Sequence, residues 1–230
     1  MFFSPLIHSL VSLSLSTSSP LTIHALSLSN GNAPPDYLGS TREKELQASW
    51  SSLVPPPSSA VKLNVVALDD PALQDGMDTI WAQDDIVRVV ADHFATATQP
   101  IDWIITFDSL GVSHHPNHIA LSRATHALKR DVPLLNNAQV CKLKSHPQLW
   151  RKYSGLPGAI VGRIADIMMS QKQQHTSTHP CFSALSSPRQ YLHSLQTMRT
   201  AHKSQFVWYR WLWWSFSTHV YAATLCQDDG

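Results

Sequence analysis

Apolar positions along this chain alternate between strand-like runs and helix-like runs with a period of about 3.6. Met1 to Leu15 is apolar and serine-rich and reads as a helix. Leu21 to Leu28 reads as a strand that ends in the turn Asn30-Gly31-Asn32. Thr41 to Trp50 follows as a helix, with Ser40 or Thr41 as its expected N-cap. Pro55-Pro56-Pro57-Ser58-Ser59 predicts a loop, because prolines neither donate into a ladder nor continue a helix. Val61 to Leu68 is the next strand and Asp84 to Phe94 the next helix. In that helix Ile86, Val89, Val90 and His93 or Phe94 keep the i, i+3, i+4, i+7 spacing of a buried stripe. Ile101 to Phe107, preceded by Pro100, is a third strand, and Asn117 to Arg130 the helix after it. The alternation predicts an α/β fold with a mostly parallel sheet covered by helices.

Composition narrows this picture. A chain of 230 residues, 43% hydrophobic and 14% charged, fits one globular domain spanning 1–230. A net charge of +1 gives no electrostatic case for nucleic acid, so no nucleic-acid partner is expected. Cys141, Cys181 and Cys226 lie far apart without a C-x-x-C pair, which predicts no disulfide framework, no cysteine-based zinc site and a reducing compartment. Met1 to Leu15 has no Lys or Arg in front of it and is interrupted by His8, so it is read as part of the fold, not as a signal peptide. No run of roughly 18 apolar residues predicts an ordinary transmembrane helix. Ser170 to Pro188 is polar and is expected to be a mobile loop. The aromatic segment at 202–225 contains Phe206 to Trp214, which holds four of the eight tryptophans. That stretch reads either as a buried helix or as a membrane-interface patch, where tryptophan and tyrosine are favoured.

The candidate chemistry is concentrated after the third strand. The chain turns at Gly111 and presents His115 and His118 three residues apart where a helix begins. Ligands of open α/β sheets gather at the carboxyl ends of strands, and neutral imidazole serves both as a metal ligand and as an acid or base. Solvated loop histidines are the plainer reading of the same spacing.

Thr106-Phe107-Asp108, Gly111-Val112-Ser113 and His115-Pro116-Asn117-His118 together resemble the signature of the N-acetylglucosaminylphosphatidylinositol de-N-acetylases, a branch of the zinc-dependent N-acetylglucosamine deacetylases. The likeness extends through Asn30-Gly31-Asn32, Arg42-Glu43-Lys44-Glu45-Leu46, Leu68-Asp69-Asp70-Pro71, Leu73-Gln74-Asp75-Gly76-Met77 and Trp150 to Gly155. It ends with His202-Lys203-Ser204-Gln205 and the aromatic tail.

The resemblance implies a Rossmann-like three-layer sandwich and hydrolytic removal of acetate from N-acetylglucosaminyl-phosphatidylinositol in glycosylphosphatidylinositol-anchor biosynthesis. The implied partners are this lipid-linked sugar and a membrane surface, at the cytosolic face of the endoplasmic reticulum. The implied cofactor is Zn2+, which activates water and polarises the amide carbonyl. His118 corresponds to a metal ligand. His115 corresponds to the residue that stabilises the oxyanion or protonates the leaving amine. Arg42 and Asp75 correspond to substrate-binding positions. Each has a plainer reading: Arg42 as a surface charge beside Glu45, Asp75-Gly76 as an ordinary turn, Asp108 as a loop cap or as a partner orienting a histidine. His202 is read as capping or packing the C-terminal segment.

The family's His-Pro-Asp-Asp-Glu motif, which supplies two metal ligands and the general base, does not occur among these 230 residues. The expectation is therefore a sheet without its first strand and an impaired enzyme, since a catalytic zinc normally has three protein ligands. Other departures are Ala33 to Gly39 and the polar stretch from Ser170. Two alternatives stand beside the leading reading: a deacetylase of a soluble N-acetylglucosamine conjugate, and a non-catalytic truncated remnant.

Overall fold

A computed structural model describes residues 2–54, 60–173 and 180–228. The expected Pro55–Ser59 loop and residues 174–179 of the expected polar loop lie outside the described residues. The elements run Ser4–Thr17 (α1), Leu21–Ser27 (β1), Gly39–Leu53 (α2), Val61–Ala67 (β2), Gln83–Phe94 (α3), Trp103–Phe107 (β3), Gly111–His114 (α4) and Pro116–Asp131 (α5). They continue with Gln139–Leu143 (β4), Leu149–Lys152 (α6), Gly155–Gln173 (α7), Cys181–Leu185 (β5), Pro188–Ala201 (α8), Arg210–Phe216 (α9), Thr218–Tyr221 (α10) and Ala222–Asp228 (β6).

Local chemistry explains most boundaries. Pro5 lies in the first turn of α1, where its missing N–H costs nothing, and Ser18 closes the helix in the left-handed region. α3 carries Asp84 and Asp85 in its first turn and His93 in its last, matching the helix dipole. α8 opens with a capping box between Ser187 and Gln190. α2 departs from expectation: its N-cap is Leu38, and neither Ser40 nor Thr41 caps it. Its first N–H, at Gly39, instead donates to Asn32 Oδ1 at 3.1 Å, so a side chain from the preceding loop takes the place of a cap.

The strands form two sheets. β1 and β2 pair in parallel from Leu21 opposite Val61 to Ser27 opposite Ala67. The second sheet has the order β3-β4-β6-β5. β3 and β4 are parallel, whereas β6 runs antiparallel to both β4 and β5. Parallel pairing thus holds for the first four strands, and the last two depart from it. β5 lies inside the stretch expected as a loop.

α1 covers both sheets. Its Leu6 packs with Cys141, Leu143, Ala223 and Leu225 of the second sheet, while Ile7 and Val11 pack with Val54 and Val61 beside the first. A separate cluster joins α3 to α5 through Ile86, Val89, Val90, Ala120, Ala124 and Leu128. Each fully buried aliphatic side chain contributes about 1.5–3 kcal/mol. Among the described residues, β1 pairs only with β2, and β3 only with β4. The facing edges of β1 and β3 border a cleft of about 1390 Å³, also lined by α1 and by His118, Leu121 and Thr125 of α5. Trp103 and Ile105 of β3 consequently stay partly exposed.

Contrary to the expectation from cysteine spacing, Cys181 and Cys226 form a disulfide. They face each other directly in the β5–β6 register, a proximity that a separation of 45 residues conceals.

Candidate active site

The C-terminal ends of β1, β2 and β3 meet at one end of the cleft. After β3 the chain makes the turn α4 with Gly111 (φ +59), Val112 (φ +60) and His114 (φ +59) in the left-handed region. A Cβ on Gly111 would lie 2.9 Å from His118 Cβ, so only glycine permits this approach. A β-branched residue such as Val112 is costly there. It is held by burial and by its N–H donating to Ser145 Oγ at 2.8 Å.

Asp108 organises this turn. Its Oδ1 accepts from the N–H groups of Leu110 and Gly111, both at 3.1 Å, and from Ser145 Oγ at 2.5 Å. Its Oδ2 accepts from Ser145 N–H at 2.6 Å. One carboxylate therefore ties the loop after β3 to the loop after β4. Asp108 does not line the cleft. It reaches His118 through Gly111, whose carbonyl accepts from His118 Nδ1 at 3.0 Å.

That bond places the His118 proton on Nδ1 and leaves Nε2 with a lone pair. The ring stacks on Phe107, centroids 3.8 Å apart and planes 13° apart, with the edge of Phe2 against it at 6.2 Å. Burial pushes the His118 imidazole below its ordinary pKa; the Gly111 bond opposes this, His115 adds to it and Asp75 opposes it. The ring is thus neutral at pH 7.

His115 is the N-cap of α5, its Nδ1 accepting from Asn117 N–H at 3.3 Å. The proton of the neutral ring therefore sits on Nε2, which lies 3.7 Å from Asp75 Oδ1. Asn117 Nδ2 donates to the same oxygen at 2.8 Å. The two imidazoles are 5.1 Å apart between centroids. N-cap and third helical position project to one side, which is why the three-residue spacing brings them together.

Arg42 reaches the cleft from α2. Its Nη1 donates to Gly31 O at 2.6 Å, and its Nε is buried with no protein partner. The reading of Arg42 as a surface charge does not hold. Arg42, Asp75, His115 and His118 all line the one cleft.

A family model described as PIG-L, GlcNAc-PI de-N-acetylase, matches residues 2–129. The chain belongs to this family. The N-acetylglucosaminyl-phosphatidylinositol de-N-acetylase of Saccharomyces cerevisiae is 31% identical over 240 residues, covering 96% of this chain and 75% of that protein. The "Probable N-acetylglucosaminyl-phosphatidylinositol de-N-acetylase" of Schizosaccharomyces pombe is 33% identical over 220 residues, covering 96% and 78%. Among solved structures, a deacetylase-teicoplanin complex from the teicoplanin biosynthesis pathway aligns over 99% of this chain and 94% of its own, at 13% identity and a TM-score of 0.49. The segment matching the family contains all five expected site residues.

Two further residues belong to the site. Asn117 is buried, positions Asp75, and leaves its Oδ1 without a partner. Its signal was its place inside the His-Pro-Asn-His motif. His202 caps α8 as expected, but it also lines the cleft with an unpartnered Nδ1. Burial, with Glu45 opposing, lowers its pKa to about 4. Nothing local to its sequence marks this position.

Zinc is the cofactor that the resemblance implies. Among the described residues no three His, Cys, Asp or Glu side chains are grouped to hold a metal ion. His118 offers one nitrogen. The described donor set does not fit a catalytic zinc by itself, and no chemical step is routed through one.

Proposed function

We propose that this chain acts on N-acetylglucosaminyl-phosphatidylinositol, hydrolysing the acetamide to acetate and the glucosaminyl lipid in glycosylphosphatidylinositol-anchor biosynthesis. The proposed place of action is the cytosolic face of the endoplasmic reticulum membrane. Family membership supports the reaction class, and the names of the fungal relatives support the substrate. The observation that carries the reading is the grouping of Asp75, His115 and His118, with Arg42 lining the same cleft.

The roles follow from the hydrogen bonds. His115 donates its Nε2–H to the amide oxygen as negative charge develops there. Its Nδ1 is engaged by Asn117 N–H, so protonating that nitrogen breaks the helix cap. Oxyanion stabilisation is therefore favoured over proton delivery to the leaving amine. Asp75, held by Asn117, lies 3.7 Å from His115 Nε2 and accepts from sugar hydroxyls. Arg42 has donors beyond its bond to Gly31 for the substrate phosphodiester. His118 presents the neutral Nε2 that in this family binds the metal. With one such ligand placed, turnover by this chain is slow.

Acetate release, measured with added zinc from the lipid-linked sugar and from a soluble N-acetylglucosamine conjugate, tests the reading. The expected result is slow release from the lipid-linked substrate that falls about 100-fold or more in His115→Ala. Arg42→Ala is expected to raise KM for the phosphodiester-bearing substrate only. Preference for the soluble conjugate would move the assignment to that class, and release unchanged in His115→Ala, or none at all, would overturn it.

A further inference from the structure

The C-terminal part of the chain carries a charge pattern that the overall net charge of +1 conceals. Residues 145–227 contain eight Lys and Arg and a single acidic residue, Asp166. The same part turns apolar side chains outward. Leu156, Ile160, Ile164 and Met168 follow one another at four-residue intervals along α7, and all are exposed, Met168 by 65%. A helix that packs on a core turns such a stripe inward; here it faces solvent. α9 behaves similarly on its outer side: Trp214 is 1% exposed, while Leu212 and Phe216 are more than half exposed. Trp208, just before α9, is 78% exposed, and Trp150 on α6 is 68% exposed.

These elements are contiguous. Gly155, the first residue of α7, sits against Ser215 and Phe216 at the end of α9. Tyr153, Tyr209, Leu212 and Phe216 surround one surface hollow of about 420 Å³. All four cation–aromatic contacts among the described residues lie on these elements or the adjoining α8: Arg151 over Trp150, Lys152 over Tyr153, Arg199 over Trp211 and Arg210 over Tyr209, at 5.1–5.7 Å. Outward aliphatics edged by aromatic rings and cations match the boundary between acyl chains and headgroups. Among the described residues no helix is long and apolar enough to cross a membrane, so this face lies on a surface and does not span one.

The face also adjoins the cleft. Trp213 of α9 meets Phe2 at 5.6 Å between ring centroids, and Phe2 meets His118 at 6.2 Å.

We infer that α6, α7 and α9 form a docking face for an anionic lipid bilayer, inserting Trp150, Ile160, Ile164, Trp208, Leu212 and Phe216 to the headgroup boundary. Arg151, Lys152, Arg163 and Arg210 meet the lipid phosphates. This rests on the proposed lipid-linked substrate: with its acyl chains left in the bilayer, the sugar reaches His115 and His118 past Phe2.

Flotation of the full chain with vesicles of phosphatidylcholine alone, or mixed with phosphatidylinositol, tests the inference. The chain is expected to float with the mixed vesicles and to be released by salt. Trp208→Ser/Leu212→Ser/Phe216→Ser is expected to weaken binding about tenfold or more, and Arg151→Glu/Arg210→Glu to abolish the preference for anionic lipid. Should the α9 variant misfold by circular dichroism, Ile160→Ser/Ile164→Ser on α7 supplies the same test on a separate helix. Wild-type protein left unbound by both vesicle types, or variants floating as wild type does, would overturn the inference. That outcome includes the case in which the face binds another protein. The vesicles contain no N-acetylglucosamine, so vesicle binding without acetate release refutes only the functional reading. Acetate release from the detergent-dispersed lipid-linked substrate without vesicle binding refutes only the docking face.

Discussion

Removing the Asp108 carboxylate tests how the site is held. In Asp108→Ala the N–H and hydroxyl of Ser145, a residue 5% exposed, lose their acceptor and have little water to replace it. Each buried polar group left unpaired costs about 1–3 kcal/mol, so the two together cost about 2–6 kcal/mol. Gly111 N–H suffers less, since it also donates to Asp108 O at 3.0 Å. For a chain of this size the loss corresponds to a fall in melting temperature of roughly 5–20 °C. Asp108→Asn keeps one acceptor but turns an amide donor toward a donor, and is expected to lose about 1–3 kcal/mol. Ser145→Ala strands Val112 N–H and is expected to cost about as much. Urea unfolding of the three variants and of Asp108→Ala/Ser145→Ala measures the coupling, expected to be about 1 kcal/mol or more. Asp108→Ala within about 0.5 kcal/mol of wild type, at unchanged m-value, would refute the claim that this carboxylate ties the two loops together.

Acid is expected to destabilise the fold through two buried histidines. Burial, with His193 adding to it, lowers His8 to about 4, and burial, with His146 and Lys152 adding to it, lowers His219 to about 3. Below pH 6.5 the unfolded chain takes up protons that the folded one refuses, so stability falls from that pH downward. The two groups remove about 2–4 kcal/mol between about pH 7 and 5, and His219→Gln should flatten part of that slope in urea unfolding; an unchanged slope would contradict it. Reducing the disulfide that closes 45 residues is expected to cost up to about 4 kcal/mol. Cys226→Ser should melt low and ignore reductant, and a wild-type melt indifferent to reductant would refute this. After gel filtration the chain is expected to retain zinc well below one ion per molecule, because no three donors converge among the described residues. Stoichiometric zinc retained by the wild-type chain would refute this.

Elements with strong periodicity are legible in the sequence alone. α3 begins within one residue of its expected start, and β1 and β2 fall almost on their expected spans. The His-Pro-Asn-His spacing marks the site, because cap and first turn of one helix fix both side chains locally. What depends on distant partners is not legible. β5 buries only Ser183 and Ala184 of its five residues, too little apolar signal to mark a strand within a polar stretch. The Cys181–Cys226 pair exists only through the register of β5 on β6. Arg42 reads as a neighbour of Glu45, yet its partner is Gly31 across a loop, and Glu45 accepts from Ser204, 159 residues away.

The break between the two sheets has a consequence for the molecule in concentrated solution. β1 and β3, with the sequences Leu-Thr-Ile-His-Ala-Leu-Ser and Trp-Ile-Ile-Thr-Phe, carry no Lys, Asp, Glu or Pro that would discourage pairing by a foreign strand. Among the described residues these edges are unpaired and border the same opening, where an extended segment from a neighbouring molecule can add to either. The chain is therefore prone to copy-to-copy strand exchange and aggregation, governed by concentration and by whatever occupies that gap.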